Sequence, residues 1–386
     1  MTKQSFKEKL KSFNYTHYIN YTVIGIFTVV MAILSMTSGL PQSTLYTLEK
    51  ISIAVILAVS LSLVVGFLGE LSLGHAGFMC VGAYLGGKLA VVLAPLLGNG
   101  PLTLIICLVA GAVAAAICGI VIGIPALRLR GDYLAIVTLA FGEIVRSVFN
   151  NSSDESFGGA IGLATPRYDR KVLFIYGLVL ILITLFVVQN FIRSKHGRAV
   201  TAIRDNEIAA RASGINVTKY KLLTFTLSAT FAGIAGVLYS FSQFTVQSAT
   251  FDYNYSIEIL VMVVLGGMGS INGSIIAAAL ITLLNDKLAT ILTGDLAVLQ
   301  NLFYALILIA VVIYNNAPAL KGFRSKYNLR NLIALIRRKL GKEGNSHHKD
   351  DEAKWDVVPT KIEMNEVLSL DITPQEKQDP MGKEDK

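Results

Sequence analysis

The segment from Gly197 to Gly214 concentrates charged and small residues that could contact another protein. Its sequence, GRAVTAIRDNEIAARASG, places Val200, Ile203 and Ala210 at helical spacing, which predicts one apolar face. The charged residues of the segment, left for solvent or a partner, are Arg198, Arg204, Asp205, Glu207 and Arg211. Gly214 can adopt the left-handed conformation that ends a helix. Because long apolar runs flank it, the pattern predicts a helix at a membrane surface, either docking a partner or lying among lipid headgroups.

No residues in the sequence predict catalysis or nucleotide binding. Gly82, Gly87 and Lys88 match the start of a phosphate-binding loop, but Leu89 stands where Ser or Thr must hold magnesium, and no strand precedes the motif. An intramembrane enzyme would require paired catalytic groups, and only Ser72 and His75 are close. The three cysteines are too widely spaced for a metal cluster and are expected to be packing residues. We therefore expect no catalytic residue, no metal and no cofactor in this chain, with any ATP and Mg²⁺ bound by a partner.

Two glycine-rich stretches interrupt the apolar runs and are candidate sites for a polar solute. One is Gly69–Gly87, which we interpret as a broken membrane segment, and the other is GGMGSING at Gly266–Gly273. The candidate translocation-pathway residues are Ser72, Gly74, His75, Glu143, Gly266, Gly267 and Gly269. Two alternatives stay open: a hydrogen-bonded structural role for His75, and a helical ion pair of Glu143 with Arg146. Lys88 and Glu258 are expected near the outer interface, where long side chains reach water.

The composition identifies the chain as a membrane protein. Hydrophobic residues make up 53% of the 386 and charged residues 16%, and the charges avoid apolar runs of about 20 residues, the length that crosses a bilayer. We predict an all-α polytopic membrane protein, a bundle of about ten transmembrane helices. The break at Gly266–Gly273 allows either two short helices meeting on the cytoplasmic side, which we favour, or a re-entrant hairpin with eight crossings.

The distribution of basic residues predicts the orientation. With both termini in the cytoplasm, 21 Lys and Arg residues fall inside and five outside, as the positive-inside rule requires. This bias accounts for the formal net charge of +8, so nucleic acid is not an expected partner.

The same reading divides the chain into four parts. Residues 1–17 form a cytoplasmic segment, and 18–320 form the membrane domain with a cytoplasmic loop at 193–221. Residues 321–342 form a basic amphipathic segment suited to anionic lipid. Residues 343–386 form an acidic, mostly disordered tail, inert or in contact with another subunit.

Four motifs in order carry a family resemblance. They are LSLGHAGFMCVGAYLGG, LRLRGDYLAIVTLAFGEIVR, the segment HGRAVTAIRDNEIAARASG with the span after it, and VMVVLGGMGSINGSIIAAAL. Over roughly residues 44–322 the chain closely resembles the permease subunits of branched-chain amino acid ABC importers. The resemblance implies that the charged helix is a coupling helix docking into an ATPase, with Glu207, Ala209, Ala210 and Gly214 at signature positions. Arg204 and Asp205 are expected to set its register through charge.

The resemblance also implies partners and a location. We expect a sister permease forming a heterodimer, two ATP-binding subunits and an extracytoplasmic solute-binding protein, in the bacterial cytoplasmic (inner) membrane. Gly158, Gly159 and Gly162 in the outer loop 150–171 are candidates for docking the binding protein, the alternative being a flexible connector. The expected solutes are leucine, isoleucine and valine, or else urea or short amides. A stand-alone secondary transporter would need ionisable residues deep in the bundle, and the sequence offers little beyond Glu143.

Overall fold

The computed structural model describes residues 41–98, 100–129, 131–166 and 168–291, together with residues 25, 305, 306, 309 and 313. Several predicted parts lie outside these residues: segment 1–17, the spans predicted at 18–38 and 296–320, the basic segment 321–342 and the acidic tail 343–386. Within the described part of the chain, the structure is helical apart from one two-residue strand pair.

The elements follow one another closely. The first half comprises α1 (Gln42–Ser62), which continues as a π-helical turn (Leu63–Leu68), α2 (His75–Leu97), α3 (Pro101–Ala126), α4 (Asp132–Asn150), the short α5 (Asp154–Phe157) and β1 (Leu163–Ala164). The second half comprises α6 (Arg170–Arg193), α7 (Lys195–Asp205), α8 (Glu207–Ala212), α9 (Val217–Ser242), β2 (Thr245–Val246), a 3₁₀ turn (Ser248–Phe251), α10 (Tyr253–Gly266) and α11 (Ile271–Ile291).

Six of the described helices are long and apolar enough to cross a membrane: α1 with its π-helical turn, α2, α3, α6, α9 and α11. This confirms a helical, multi-pass membrane protein. Helix α10 has 14 residues, about 21 Å, and is shorter than a bilayer core of about 30 Å. The count of ten stays a prediction, since two predicted spans lie outside the described residues.

Small residues make the closest contacts between helices. A Cβ added to Gly82 on α2 would lie 2.2 Å from the carbonyl oxygen of Gly233 on α9, and one on Gly236 would lie 2.0 Å from that of Met79. Because no side chain fits there, α2 and α9 approach backbone to backbone, as the small-residue spacing predicts. Helix α1 is the most buried span and α3 is largely exposed, so α1 and α9 form the centre of the bundle.

Helices α10 and α11 form a hairpin at the GGMGSING motif. Gly267 and Gly269 in the turn have φ of +92° and +84°, and a Cβ on Gly266 would lie 2.5 Å from the backbone of Gly273. The turn lies on the same side of the bundle as α7 and α8, as the favoured alternative required. The expectation of two short helices is wrong for α11, which has 21 residues, because the apolar run continues unbroken after Gly273.

The opposite end of the bundle carries a folded cap made from the loop between α4 and α6. Strands β1 and β2 pair antiparallel, with Leu163 opposite Val246. The Lys88 ammonium donates to the carbonyl oxygen of Glu155 at 2.8 Å, which ties α2 to the cap. Tyr84 donates to the carbonyl oxygen of Val246 at 3.1 Å. These contacts give the loop a defined structure on the ends of the spans.

Candidate functional site

The predicted surface helix is two helices rather than one. Ser194 caps α7 by accepting from the His196 amide at 3.1 Å, and Asn206 interrupts it with extended backbone at φ −158°. The Asn206 side chain then caps α8 by accepting from the Ala209 amide at 3.0 Å. Asn is a favoured capping residue, so the chain restarts a helix instead of continuing one. Gly214 ends α8 with φ +82°, the left-handed conformation predicted for it.

The apolar face of α7 and α8 is seated on the bundle. Val200, Ile203 and Ala210 are buried in a small hydrophobic cluster with Leu68 of the π-helical turn and Val217 of α9. Burying these side chains anchors the α7–α8 segment (residues 195–212) to two spans at once. Ala210 was expected on the docking face but faces the bundle instead.

The outward face of α8 contains a residue that the sequence analysis overlooked. Ile208 is 77% exposed, which is unusual for a large aliphatic side chain beside a buried cluster. Ala209 and Ala212 are exposed beside it, and the Asp205 side chain is 68% exposed. Ile208, Ala209 and Ala212 form the α8 outer face, an apolar patch, and the Asp205 carboxylate lies just before it at the end of α7. The signal in the sequence is that Ile208 lies two positions from Ala210 and so cannot share its buried side.

Glu207, expected to face a partner, belongs to a charge cluster with Glu70, Arg211 and Lys221. The Lys221 ammonium on α9 lies 2.5 Å from Glu70 Oε1 and 3.1 Å from Glu207 Oε2, and Lys221 is 4% exposed. Arg211 binds Glu207 Oε1 at 2.8 Å. Two carboxylates therefore meet two cations where α8, α9 and the segment after the π-helical turn converge. The cluster ties the α7–α8 segment to the bundle by charge.

Arg204 connects α7 to both glycine-rich breaks. Its Nη1 donates to the carbonyl oxygen of Gly66 at 3.1 Å, while Nε and Nη2 bind Asp205. A Cβ on Gly69 would lie 2.7 Å from Arg204 Cγ, and one on Gly269 would lie 3.7 Å from Nη1. Gly69 has φ +78° and starts the irregular stretch before α2, so the predicted break is present over residues 69–74. It is wrong for residues 75–87, which belong to the continuous helix α2. Arg204 is thus engaged within the subunit rather than free to set register with a partner.

The π-helical turn that precedes the first break also touches the second break. A Cβ on Gly66 would lie 2.6 Å from the backbone nitrogen of Gly269 in the α10–α11 turn. Gly66, Gly69 and Gly269 therefore form a close contact between α1 and the α10–α11 hairpin, which we call the glycine junction. The Arg204 side chain covers it. Arg204 thus connects α7 to both elements at this junction.

The other candidate pathway residues are structural in their contacts. His75 is fully enclosed at the start of α2, with Nε2 2.9 Å from Ser60 Oγ and 3.5 Å from Ser228 Oγ. Ser72 is buried, and Gly74 packs on the backbone of α4 at Thr138. These contacts fit the hydrogen-bonded alternative for His75.

Glu143 forms the helical ion pair with Arg146 that was one of its two predicted alternatives. Its Oε2 accepts from Arg146 Nε at 2.9 Å and lies 2.8 Å from Nη2, and the two side chains are about one-third exposed. The pair therefore neutralises both charges on one face of α4. The pair lies one residue beyond Gly142, which packs on Gly77 at the start of α2.

The outer-loop glycines shape the cap at the far end. Gly158, Gly159 and Gly162 all have positive φ, and a Cβ on Gly158 would lie 2.1 Å from the Gly162 carbonyl oxygen. Asp154 and Glu155 precede this turn in an exposed position. The glycines thus fold a compact turn that leaves acidic side chains on the surface.

A cavity of about 400 Å³ lies beneath this end, between α1, α10 and α11. Its charged lining residues are Lys50, Glu258 and Asp286. Glu258 was expected to reach toward the membrane interface, but it lines this cavity and accepts from the Asn285 amide at 3.3 Å. Sequence reasoning missed the site because its residues come from α1, α9, α10 and α11, which span more than 200 positions of the sequence.

These features define the chain as a multi-pass helical membrane protein. A pair of surface helices packs on one end of its spans, and a folded cap lies on the other end. The chain belongs to the family described as branched-chain amino acid transport system / permease component, which matches residues 43–312. It is an ABC transporter permease, and the resemblance inferred from the sequence motifs is confirmed.

Comparison with curated proteins gives the relatives. The chain is 34% identical over 320 residues to the high-affinity branched-chain amino acid transport system permease protein LivM of Escherichia coli (strain K12), covering 73% of this chain and 74% of that protein. It is 37% identical over 260 residues to LivM of Salmonella typhimurium, covering 59% and 60%. The ribose import permease protein RbsC of Escherichia coli (strain K12) is 26% identical over 284 residues, covering 70% and 84%. No solved structure matches the chain.

Proposed function

We propose that this chain is the translocation subunit of an importer that moves leucine, isoleucine and valine into the cell. A solute-binding protein delivers the amino acid, and two separate ATPase subunits bind ATP and Mg²⁺. The chain pairs with a sister permease, because one α7–α8 segment serves one of the two ATPases. The names of its relatives with 34% and 37% identity support this solute class.

In this proposal the α7–α8 segment is the coupling element and lies in the cytoplasm. The α8 outer face, centred on exposed Ile208, inserts into a cleft of the ATPase. Arg204 and Glu207, whose side chains are engaged within the subunit, transmit the movement rather than make the docking contact. The cap with Gly158, Gly159 and Gly162 faces the binding protein on the other side of the membrane.

The observation that carries the proposal is the double attachment of this segment to the bundle. The charge cluster joins α8 to α9 and to Glu70, and Arg204 joins α7 to the carbonyl of Gly66 at the end of α1. A shift of α8 would therefore move α1, α9 and the α10–α11 turn together. Alternating access then follows as rigid-body motion of packed helices, because close-packed interfaces transmit displacement.

Uptake measurements test the solute class. The complete importer, with its sister permease, ATPases and binding protein, is expressed in cells that lack their own branched-chain amino acid uptake, and labelled leucine, ribose and urea are supplied in turn. Saturable leucine uptake that disappears when this chain is omitted is expected. Ribose uptake is the second candidate, favoured by the RbsC relatives, and urea or a short amide is the third. Transport of ribose or urea without leucine would refute the proposal.

A further inference from the structure

The cavity between α1, α10 and α11 is a membrane-embedded chamber remote from the coupling segment. Lys50 on its wall and Gly66 at the glycine junction are separated by about 16 residues, or about 24 Å of helix. The volume of about 400 Å³ lies within the range of about 300–1,000 Å³ typical of small-molecule pockets. The chamber is therefore large enough for one small solute and lies toward the capped end.

The lining carries an excess of one negative charge. Lys50 Nζ lies 3.2 Å from Asp286 Oδ1, and Thr47 donates to Asp286 Oδ2 at 2.6 Å. Glu258 supplies a second carboxylate and Asn285 an amide beside it. The Lys50 and Asp286 side chains are 37% and 22% exposed, so a solute in the chamber can reach both. Two carboxylates and one ammonium favour a ligand with a cationic group close to an anionic one.

The lining changes from polar to apolar along the helices. On α1, Lys50 is followed one turn deeper by Ile53 and Ala54, and on α10, Glu258 is followed by Met262. One turn is about 5.4 Å, so a mainly apolar floor, with the Thr282 hydroxyl as its polar group, lies about that far below the charged groups. Tyr46 and Tyr255 add phenol groups near the polar level. The chamber is thus charged toward the cap and hydrophobic toward the centre.

We infer that this chamber is a solute site for a zwitterionic amino acid with an aliphatic side chain. Glu258 and Asp286 face its ammonium, Lys50 faces its carboxylate, and Ile53 and Met262 contact its side chain. A neutral sugar or urea could hydrogen-bond to these groups but has no charges to pair with them, and it has no aliphatic side chain to contact Ile53 and Met262. The inference rests on the proposed function and extends it to the residues that select the solute.

The test uses the complete importer in proteoliposomes with ATP inside and labelled leucine or alanine outside with the binding protein. Glu258→Gln keeps the shape and the acceptor for Asn285 but removes the charge, and it should lower leucine uptake at least tenfold. Met262→Gln keeps the length but makes the floor polar, and it should lower the ratio of leucine to alanine uptake by about tenfold. Lys287→Gln, an exposed charge change on the neighbouring helix α11, should leave both unchanged.

The outcomes separate this inference from the function on which it rests. Normal leucine uptake with an unchanged leucine-to-alanine ratio in both variants would overturn the solute site while leaving the importer intact. Loss of the sister permease from the purified Glu258→Gln complex would assign the chamber to the subunit interface and also overturn it. A wild-type importer that moves no branched-chain amino acid would instead refute the proposed function.

Discussion

Replacing Lys221 with methionine should release α8 from the bundle. Its ammonium is the cation shared by Glu70 and Glu207, at 2.5 Å and 3.1 Å, and it is almost fully buried. Without it the two carboxylates lose the cation that they share, while Arg211 still binds Glu207. Because their side chains are 12% and 20% exposed, neither is fully hydrated.

The free-energy cost of Lys221→Met lies between two limits. Removing one partner of a buried ion pair costs about 3–5 kcal/mol, and an exposed pair contributes about 0.2–1 kcal/mol. Because both carboxylates are partly exposed, we expect a cost of about 2–3 kcal/mol, between these limits. Since about 1.4 kcal/mol is a factor of ten, the ratio of seated to released α8 should fall about 30-fold to 150-fold.

Hydrogen exchange of the α8 amides in the purified complex measures this ratio, and ATP hydrolysed per leucine imported measures the consequence. Lys221→Met should raise exchange of Ile208–Ala212 by the stated factor and uncouple hydrolysis from uptake. Lys219→Met, an exposed change on the same helix, should do neither. Adding Glu70→Gln and Glu207→Gln to Lys221→Met removes the stranded charges and should restore part of the protection. Equal exchange in the two lysine variants would refute the reasoning.

Three further changes test other parts of the structure. Gly66→Val would place a side-chain atom 2.6 Å from the backbone of the opposing turn and should destabilise the complex to thermal unfolding by about 1–3 kcal/mol. Gly142→Ala is the control, because the nearest atom would be 3.8 Å from its Cβ, and it should leave the stability unchanged. Equal stability of the two variants would contradict the glycine junction. Gly214→Val should weaken α8 by about 1–2 kcal/mol through its positive φ, and normal α8 exchange would show that the turn adapts. A cysteine at exposed Ser153 should crosslink to the binding protein better than one at half-buried Thr165; no crosslink at either site would count against docking on the cap.

The helical membrane fold could be predicted because its causes are local. Apolar runs of bilayer length, and breaks at glycine and proline, depend only on neighbouring residues. Gly98 and Pro101 separate α2 from α3, as their residue types predict. Small residues four apart, such as Gly82 and Gly86 on α2 and Ala232 and Gly236 on α9, are a local pattern that indicates close packing of helices. What each helix packs against was not accessible in this way.

The α7–α8 segment makes contacts that neighbouring residues in the sequence do not predict. Its apolar face and its stop at Gly214 were correct, but the interruption at Asn206 was missed, because a favourable helical pattern on both sides concealed a capping residue. Glu207 and Arg204 looked available to a partner since nothing in the sequence links them to Glu70 or Gly66, which are more than a hundred positions away. Long-range charge pairing depends on the tertiary structure, and so does the chamber around Glu258.

The most direct test of the account is ATP-driven leucine uptake by the reconstituted importer carrying Ile208→Asp in this chain. Ile208 is 77% exposed and holds nothing in the fold, so the variant complex should keep its membrane insertion and thermal stability. A charge at the centre of the α8 outer face should prevent docking, with loss of ATPase binding and of leucine uptake together. Wild-type uptake and ATPase binding in this variant would contradict the assignment of the α7–α8 segment as the coupling element.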